Sequence, residues 1–233
     1  MKRILVINPN TSNQMTRHIR EVLEKTKFAS TFFQVVQIRE GPESVESAYD
    51  ATLAATEVVK IVQEKAKEVD AVLVACFADP GLEAARELCE APVLGIMETS
   101  IYVACMLGEK FSILATSSRR AHTKYRFVRS LGLSDRLQSV IPVEVAVTEM
   151  LANREEFLRA VRNAAREAIT GGAEVVILGC AAMAGLAEQL QSEICIPVVD
   201  PVVVGFKLAE TLAGIGLTQY KSRTRLPVSS VPS

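Results

Sequence analysis

Two stretches of this 233-residue chain repeat one another closely enough to dictate its architecture. Asp70-Ala-Val-Leu-Val-Ala-Cys76 and Glu174-Val-Val-Ile-Leu-Gly-Cys180 each carry an apolar run into a cysteine, at an offset of 104 positions. Gly81-Leu82 and Gly185-Leu186 match at the same offset, and after one inserted residue the "APV" ending at Val93 meets the "IPV" ending at Val198. Upstream, ILVINPNTS and FSILATSS are alike in type, each a strand running into a hydroxyl-rich helix start. General α/β character explains the apolar runs, but not the matched Cys, Gly-Leu and Pro-Val positions. The repeat therefore predicts a duplicated chain whose halves each read β-α-β-α-β-α-β-α.

Short β-type runs alternating with longer helical patterns are the mark of parallel sheets. Strands are expected at Ile4–Asn8, Phe32–Ile38, Ala71–Ala75 and Val93–Gly95, and again at Phe111–Ala115, Gln138–Val143, Glu174–Leu178 and Val198–Asp200. Thr11 or Ser12 can cap the first helix, and "NREEFLRAVRNAAREAITGGA" has acids in its first turn and a Gly-Gly stop. The fold expected is α/β, with two similar lobes related by a pseudo-twofold axis. Each lobe holds a four-stranded parallel sheet flanked by helices, and the active site lies in the cleft between them. Residues 1–97 with a C-terminal helix at 208–233 are expected to form lobe 1, and residues 98–207 lobe 2.

Composition narrows the function classes. Apolar residues make up 49% of the chain, ample for a core, and the formal net charge of −1 gives no reason to expect nucleic acid or an anionic membrane as partner. No apolar run reaches the ~18 residues needed to span a bilayer, and the run after "MKR" is too short for a signal segment. A cytoplasmic location is therefore expected. Five cysteines without CxxC spacing suggest no disulfide framework, and with only His18 and His122 a metal site is not expected.

Symmetry then points to chemistry. Ligands of open parallel sheets sit beyond the carboxyl ends of the strands, and Cys76 and Cys180 occupy such ends, one per lobe. Two like bases on opposite faces of a planar intermediate suit inversion of a carbon acid by proton removal from one side and return from the other. That reaction needs no cofactor. Amides at a helix N-terminus would lower each thiol from its usual pKa of ~8.5 towards neutrality. The backbone N–H groups of Phe77, Ala78, Ala181 and Ala182 are candidate donors to an enolate oxygen, and Asn10, Thr11, Thr116 and Ser117 could hold the rest of the substrate. Each has a plainer reading: Asn10 as a turn residue, Thr116 and Ser117 as caps, Phe77 as core. Cys89, Cys105 and Cys195 read as core filler, and "SRRAHTKYRFVR" as an exposed helix face, with Arg119 or Arg120 near the cleft mouth.

ILVINPNTS, ACFADPGL around Cys76 and LGCAAMAGL around Cys180 resemble the Asp/Glu/hydantoin racemase superfamily, within it the hydantoin racemase branch that includes allantoin racemases. The resemblance covers nearly the whole chain. It implies cofactor-independent racemisation of 5-substituted hydantoins with Cys76 and Cys180 as the acid/base thiols, and commonly homo-oligomers. By motif, Asn10 and the amides after both cysteines would grip the hydantoin ring, and Ser117 or Thr116 would add a hydrogen bond. Two departures stand out. Ala181-Ala182 replaces the Thr-Glu of the amino-acid racemases, which favours a neutral ring over a free amino acid, and Ala182 stands where the hydantoin branch is expected to carry glycine. The rival readings are a diacid decarboxylase or cis-trans isomerase on the same fold, and a non-catalytic small-molecule binder.

Overall fold

The structure, a computed structural model, describes residues 1–144 and 154–220. The first half runs β1 (Lys2–Asn8), α1 (Asn13–Thr26), β2 (Thr31–Gln37), α2 (Ala48–Lys65), β3 (Ala71–Val74), α3 (Leu82–Leu88), β4 (Val93–Gly95) and α4 (Ile96–Leu107). The second runs β5 (Phe111–Ala115), α5 (Ala121–Ser130), β6 (Leu137–Pro142), α6 (Arg154–Thr170), β7 (Val175–Leu178), α7 (Ala187–Ile194), β8 (Val198–Val199) and α8 (Pro201–Gly214). The strands form two four-stranded sheets with equivalent orders, β2-β1-β3-β4 and β6-β5-β7-β8, and every pairing is parallel.

The strands lie within three residues of their expected bounds, because period-2 apolar runs report local burial directly. Helix starts follow their caps. Ser12, rather than Thr11, accepts from the Met15 amide at 3.3 Å, and Ser47 with Asp50 closes a reciprocal capping box on α2. The C-terminal helix begins at Pro201 rather than 208. Asp200 accepts from the Val202 and Val203 amides, and proline fits the first helical position, where no N–H is needed. The tail "LPVSSVPS" lies outside the described residues.

Alternation along β1 divides the core. Leu5 and Ile7 join Val72, Val74 and Val93 beneath the buried faces of α2 and α3. Ile4 and Val6 face the other way, into an apolar cluster continuous with the whole interior of lobe 2. Two helices make that continuity. α4 follows the last strand of lobe 1 but packs on β7 and β8, whereas α8 follows the last strand of lobe 2 and packs on β1, β3 and β4. They also pack on each other, and Gly205 permits the approach. A Cβ there would stand 2.9 Å from Leu73 Cδ1 and 3.3 Å from Ile96 Cγ2. The equivalent position on α4 is the small, fully buried Ser100. Each lobe is thus completed by a helix from the other, and the two are joined by buried apolar contact.

Candidate active site

The repeat extends to individual hydrogen bonds. Ala75 N–H donates to the Ile7 carbonyl at 2.8 Å, and Gly179 N–H to Leu114 at 2.8 Å. The Cys76 carbonyl accepts from the Asp79 amide at 2.9 Å, that of Cys180 from Met183 at 3.0 Å, and Leu82 and Leu186 then donate to the carbonyls of Asp79 and Met183. Gly81 and Gly185 sit at φ 75° and 81°, where a side chain would be strained. The matched Gly-Leu pair seen in sequence is this left-handed corner. Ala182 N–H reaches Cys180 Sγ at 3.4 Å, and the Ala78 amide, two residues after Cys76, likewise favours the Cys76 thiolate.

Cysteine and α-helix are further apart than the sequence suggests. Cys180 caps only the single 3-10 turn Ala181–Met183, and α3 and α7 begin at Leu82 and Ala187, beyond the corner. One short turn offers little dipole, so burial decides the ionisation of the thiols. The expected fall towards neutrality is therefore reversed. Burial pushes the Cys76 thiol up to about 12, with the nearby Cys180 and Asp79 adding to the effect, and only the Ala78 amide and Lys124 opposing it. Cys180 is also raised by burial, with Glu46 adding and the Ala182 amide and Lys124 opposing. Both cysteine residues keep some surface, and the two thiols lie near enough for Cys180 to raise Cys76 further.

The other expected site residues fall into three groups. Asn10 is buried, and its Oδ1 accepts from the Ser12 amide at 3.0 Å and Asn8 Nδ2 at 2.9 Å, so it does build the turn. Thr11 is tied to the Pro42 carbonyl through both its amide and its hydroxyl, and its carbonyl accepts from Gln37 Nε2. Ser117 Oγ accepts from the Arg119 amide, a capping bond, and Thr116 beside it is half-buried. The side chains of Phe77, Ala181 and Ala182 are buried in the main apolar cluster, and Ala78 is half-buried. Of the remaining cysteines, Cys89 is core and Cys105 partly so, but Cys195 is exposed at the left-handed C-cap of α7, which corrects its reading as filler. Among the described residues no three His, Cys, Asp or Glu side chains converge as a metal site, and no helix is long and apolar enough to cross a membrane.

Two groups close to the sulphurs escaped the sequence reading. Asp79 stands inside the first cysteine motif. Its carboxylate accepts from the Met97 and Glu98 amides at 3.1 and 2.9 Å, capping α4, and burial raises its pKa to about 7. Lys124 lies in the segment expected to be an exposed face. Arg119 is indeed exposed, but Lys124 is half-buried and within electrostatic reach of both thiols. Its spacing from Arg120, one turn away, was the available signal.

The family model for Asp/Glu/hydantoin racemases matches residues 4–209. The chain belongs to that family. A hydantoin racemase from Pseudomonas sp. (strain NS671) is 36% identical over 224 residues, covering 95% of this chain and 90% of the relative. Among solved structures, an allantoin racemase from Klebsiella pneumoniae superposes with a TM-score of 0.94 at 31% identity, over 100% of this chain and 96% of the other. An allantoin racemase from Pseudomonas fluorescens gives 0.93 at 33% identity, over 99% and 100%. The family thus accounts for both four-stranded lobes.

Proposed function

We propose that this family member is a racemase of 5-substituted hydantoins, allantoin included, and that Cys76 and Cys180 exchange a proton with C5 from opposite faces without a cofactor. The observation that carries this reading is the pair of thiols on loops with matching hydrogen bonds, near enough for Cys180 to bear on the ionisation of Cys76. The names borne by its relatives agree with it.

In the forward direction one sulphur, as thiolate, removes the C5 proton. The electron pair of the C–H bond passes into the adjacent carbonyl to form an enolate, and the other thiol protonates C5 from the far side. The product has the inverted centre, and the two sulphurs have exchanged protonation states. A hydantoin C5–H is acidified by its neighbouring carbonyl, so moderately strong bases suffice. Reaction geometry requires each sulphur about 3–3.5 Å from C5. The amides at Phe77 and Ala181 are offered as donors to the enolate oxygen, while those at Ala78 and Ala182 already serve the sulphurs. Asn10, Thr116 and Ser117 are offered as ring contacts.

The test is incubation of the purified protein, without added metal or cofactor, with one enantiomer of a 5-substituted hydantoin or of allantoin in D₂O. Loss of optical activity with matching deuterium entry at C5 is the expected result. If every substrate keeps its optical activity and its C5 proton, the reading fails and diacid chemistry becomes the next to assay.

A further inference from the structure

Three carboxamides and one hydroxyl form a single hydrogen-bonded chain at the carboxyl end of β1. Its two ends are backbone groups that can act in one way only. The Ser12 N–H donates to Asn10 Oδ1 at 3.0 Å, so that atom is the oxygen. Asn10 Oδ1 also accepts from Asn8 Nδ2 at 2.9 Å, which fixes the Asn8 amide in turn, and Asn8 Nδ2 donates again to Thr16 Oγ1 at 3.0 Å. From the other end the Thr11 carbonyl accepts from Gln37 Nε2 at 3.1 Å, leaving Gln37 Oε1 to accept from the Thr16 hydroxyl at 2.7 Å. No amide in the chain can turn over without setting oxygen against oxygen or N–H against N–H. Two groups are left over. Asn8 Oδ1 is buried and accepts from no described residue, the consequence of both Asn8 hydrogens being committed. Asn10, 8% exposed, has both lone pairs of its oxygen occupied, and its Nδ2 donates to no described residue.

Asn10 and Cys76 leave neighbouring strands at the same edge. Ile7 pairs with Val74, and the Ala75 N–H donates to the Ile7 carbonyl at 2.8 Å. Lobe 2 has only half of this device. The Ile38 N–H donates to the Asn8 carbonyl at 3.2 Å and the Val143 N–H to that of Ala115 at 2.8 Å, so Ala115 is the counterpart of Asn8 and Ser117 that of Asn10. Ser117 Oγ accepts from the amide two residues on, as Asn10 Oδ1 does. Ala115 is buried and has no polar group with which to hold Ser117. The preset amide belongs to lobe 1 alone.

We infer that Asn8 is a positioning residue that presets Asn10 as a hydrogen-bond donor, so that the substrate is anchored on lobe 1 through a ring carbonyl oxygen. The inference rests on the reading above that Asn10 contacts the ring. An amide free to turn would offer its oxygen or its nitrogen. One whose oxygen is doubly occupied offers N–H alone and so selects an acceptor, and holding it ready lowers the cost of binding. The carbonyl oxygens of a hydantoin lie in the ring plane and on neither face. A donor to one of them holds both enantiomers alike while C5 is inverted.

The experiment is a double-mutant cycle of Asn8→Leu, Asn10→Ala and the double variant in the full chain. It reads the Kd of achiral hydantoin by calorimetry, and kcat and KM for each enantiomer of a 5-substituted hydantoin. Loss of one hydrogen bond weakens binding by about two- to tenfold. Asn10→Ala should reach about tenfold and Asn8→Leu about threefold, while the double variant is no weaker than Asn10→Ala alone. KM should rise by the same factors, equally for the two enantiomers, with kcat changed less than about twofold. Unaltered binding in folded Asn8→Leu, a penalty that adds in full to that of Asn10→Ala, or unequal KM shifts would overturn the inference. Asn8→Ala serves in the same way should the leucine variant not fold. Side-chain amide relaxation by NMR needs no ligand: the Asn10 amide should be rigid in the parent protein and mobile in Asn8→Leu. That result in a protein that binds no hydantoin would keep Asn8 as the residue that presets Asn10 and discard the ring reading alone. An Asn10 amide equally rigid in both proteins would overturn the inference.

Discussion

The carboxylate of Asp79 fills the space that a Cβ on Gly95 would occupy, its Cγ only 2.2 Å from that point and its two oxygens at 2.4 and 2.5 Å. Lobe 2 inverts the arrangement. Met183 stands at the position of Asp79, and Asp200, at the position of Gly95, caps α8 itself while also accepting from the Gly185 amide. The two helices exchanged between lobes are therefore capped by carboxylates from opposite sides of the same joint. Each solution excludes the other, because one joint has room for a single carboxylate.

Gly95→Ala should force Asp79 off the α4 terminus and destabilise the protein by about 1–3 kcal/mol, the usual range for overpacking. The check is urea unfolding of Gly95→Ala, Asp79→Ala and the double variant. With the carboxylate gone the alanine should cost almost nothing further, so strongly non-additive changes are expected. Additive costs would mean that the two side chains do not compete.

Asp79 also sets a pH dependence of unusual sign. Its ordinary pKa of 3.8 is raised to about 7 by burial, against the pull of the Met97 and Glu98 amides and Arg86. The folded state thus binds this proton more tightly than the unfolded chain does. The contribution to stability is whole below about pH 4 and is lost as pH rises through about 7. Asp200, also raised by burial, acts in the same sense. Measured from pH 4 to 8, the urea midpoint of Asp79→Asn should decline less with rising pH than that of the parent protein. Parallel profiles would remove Asp79 as the cause.

Contact between the exchanged helices depends on Gly205. Gly205→Ala should cost about 1–3 kcal/mol by pressing on Leu73, Ile96 and Thr99. Ser100→Ala should stay within about 0.5 kcal/mol, because among the described residues that hydroxyl bonds only the Ile96 carbonyl of its own helix. Thermal unfolding of the two variants side by side gives the comparison, and equal losses would contradict the asymmetry.

Cys76→Ala and Cys180→Ala should each reduce racemisation by at least the 10²–10⁴-fold expected of a proton-transfer group, with circular dichroism unchanged. Cys195→Ser, at the exposed end of α7, should leave the rate intact. Full activity in either of the first two variants would end the two-base mechanism.

Where sequence succeeded, the information was local. The sixteen alternating elements, the duplicated halves and the matched placement of Cys76 and Cys180 at strand ends were legible because strand period, turn glycines and caps are written in neighbouring residues. Even the left-handed corners at Gly81 and Gly185 could be matched as a pair. What sequence could not supply was distance. Lys124 reads as one charge among five in a basic helix, and Asp79 as a turn residue before proline. Only the packing of α5 against β6, which half-buries Lys124, and of Asp79 at the start of α4 gives them neighbours. The ionisation of the thiols followed the same division. Sequence placed each cysteine where a strand ends, but the direction of its pKa depends on enclosure by residues far along the chain, and in a desolvated site burial outweighs the amides of one short turn.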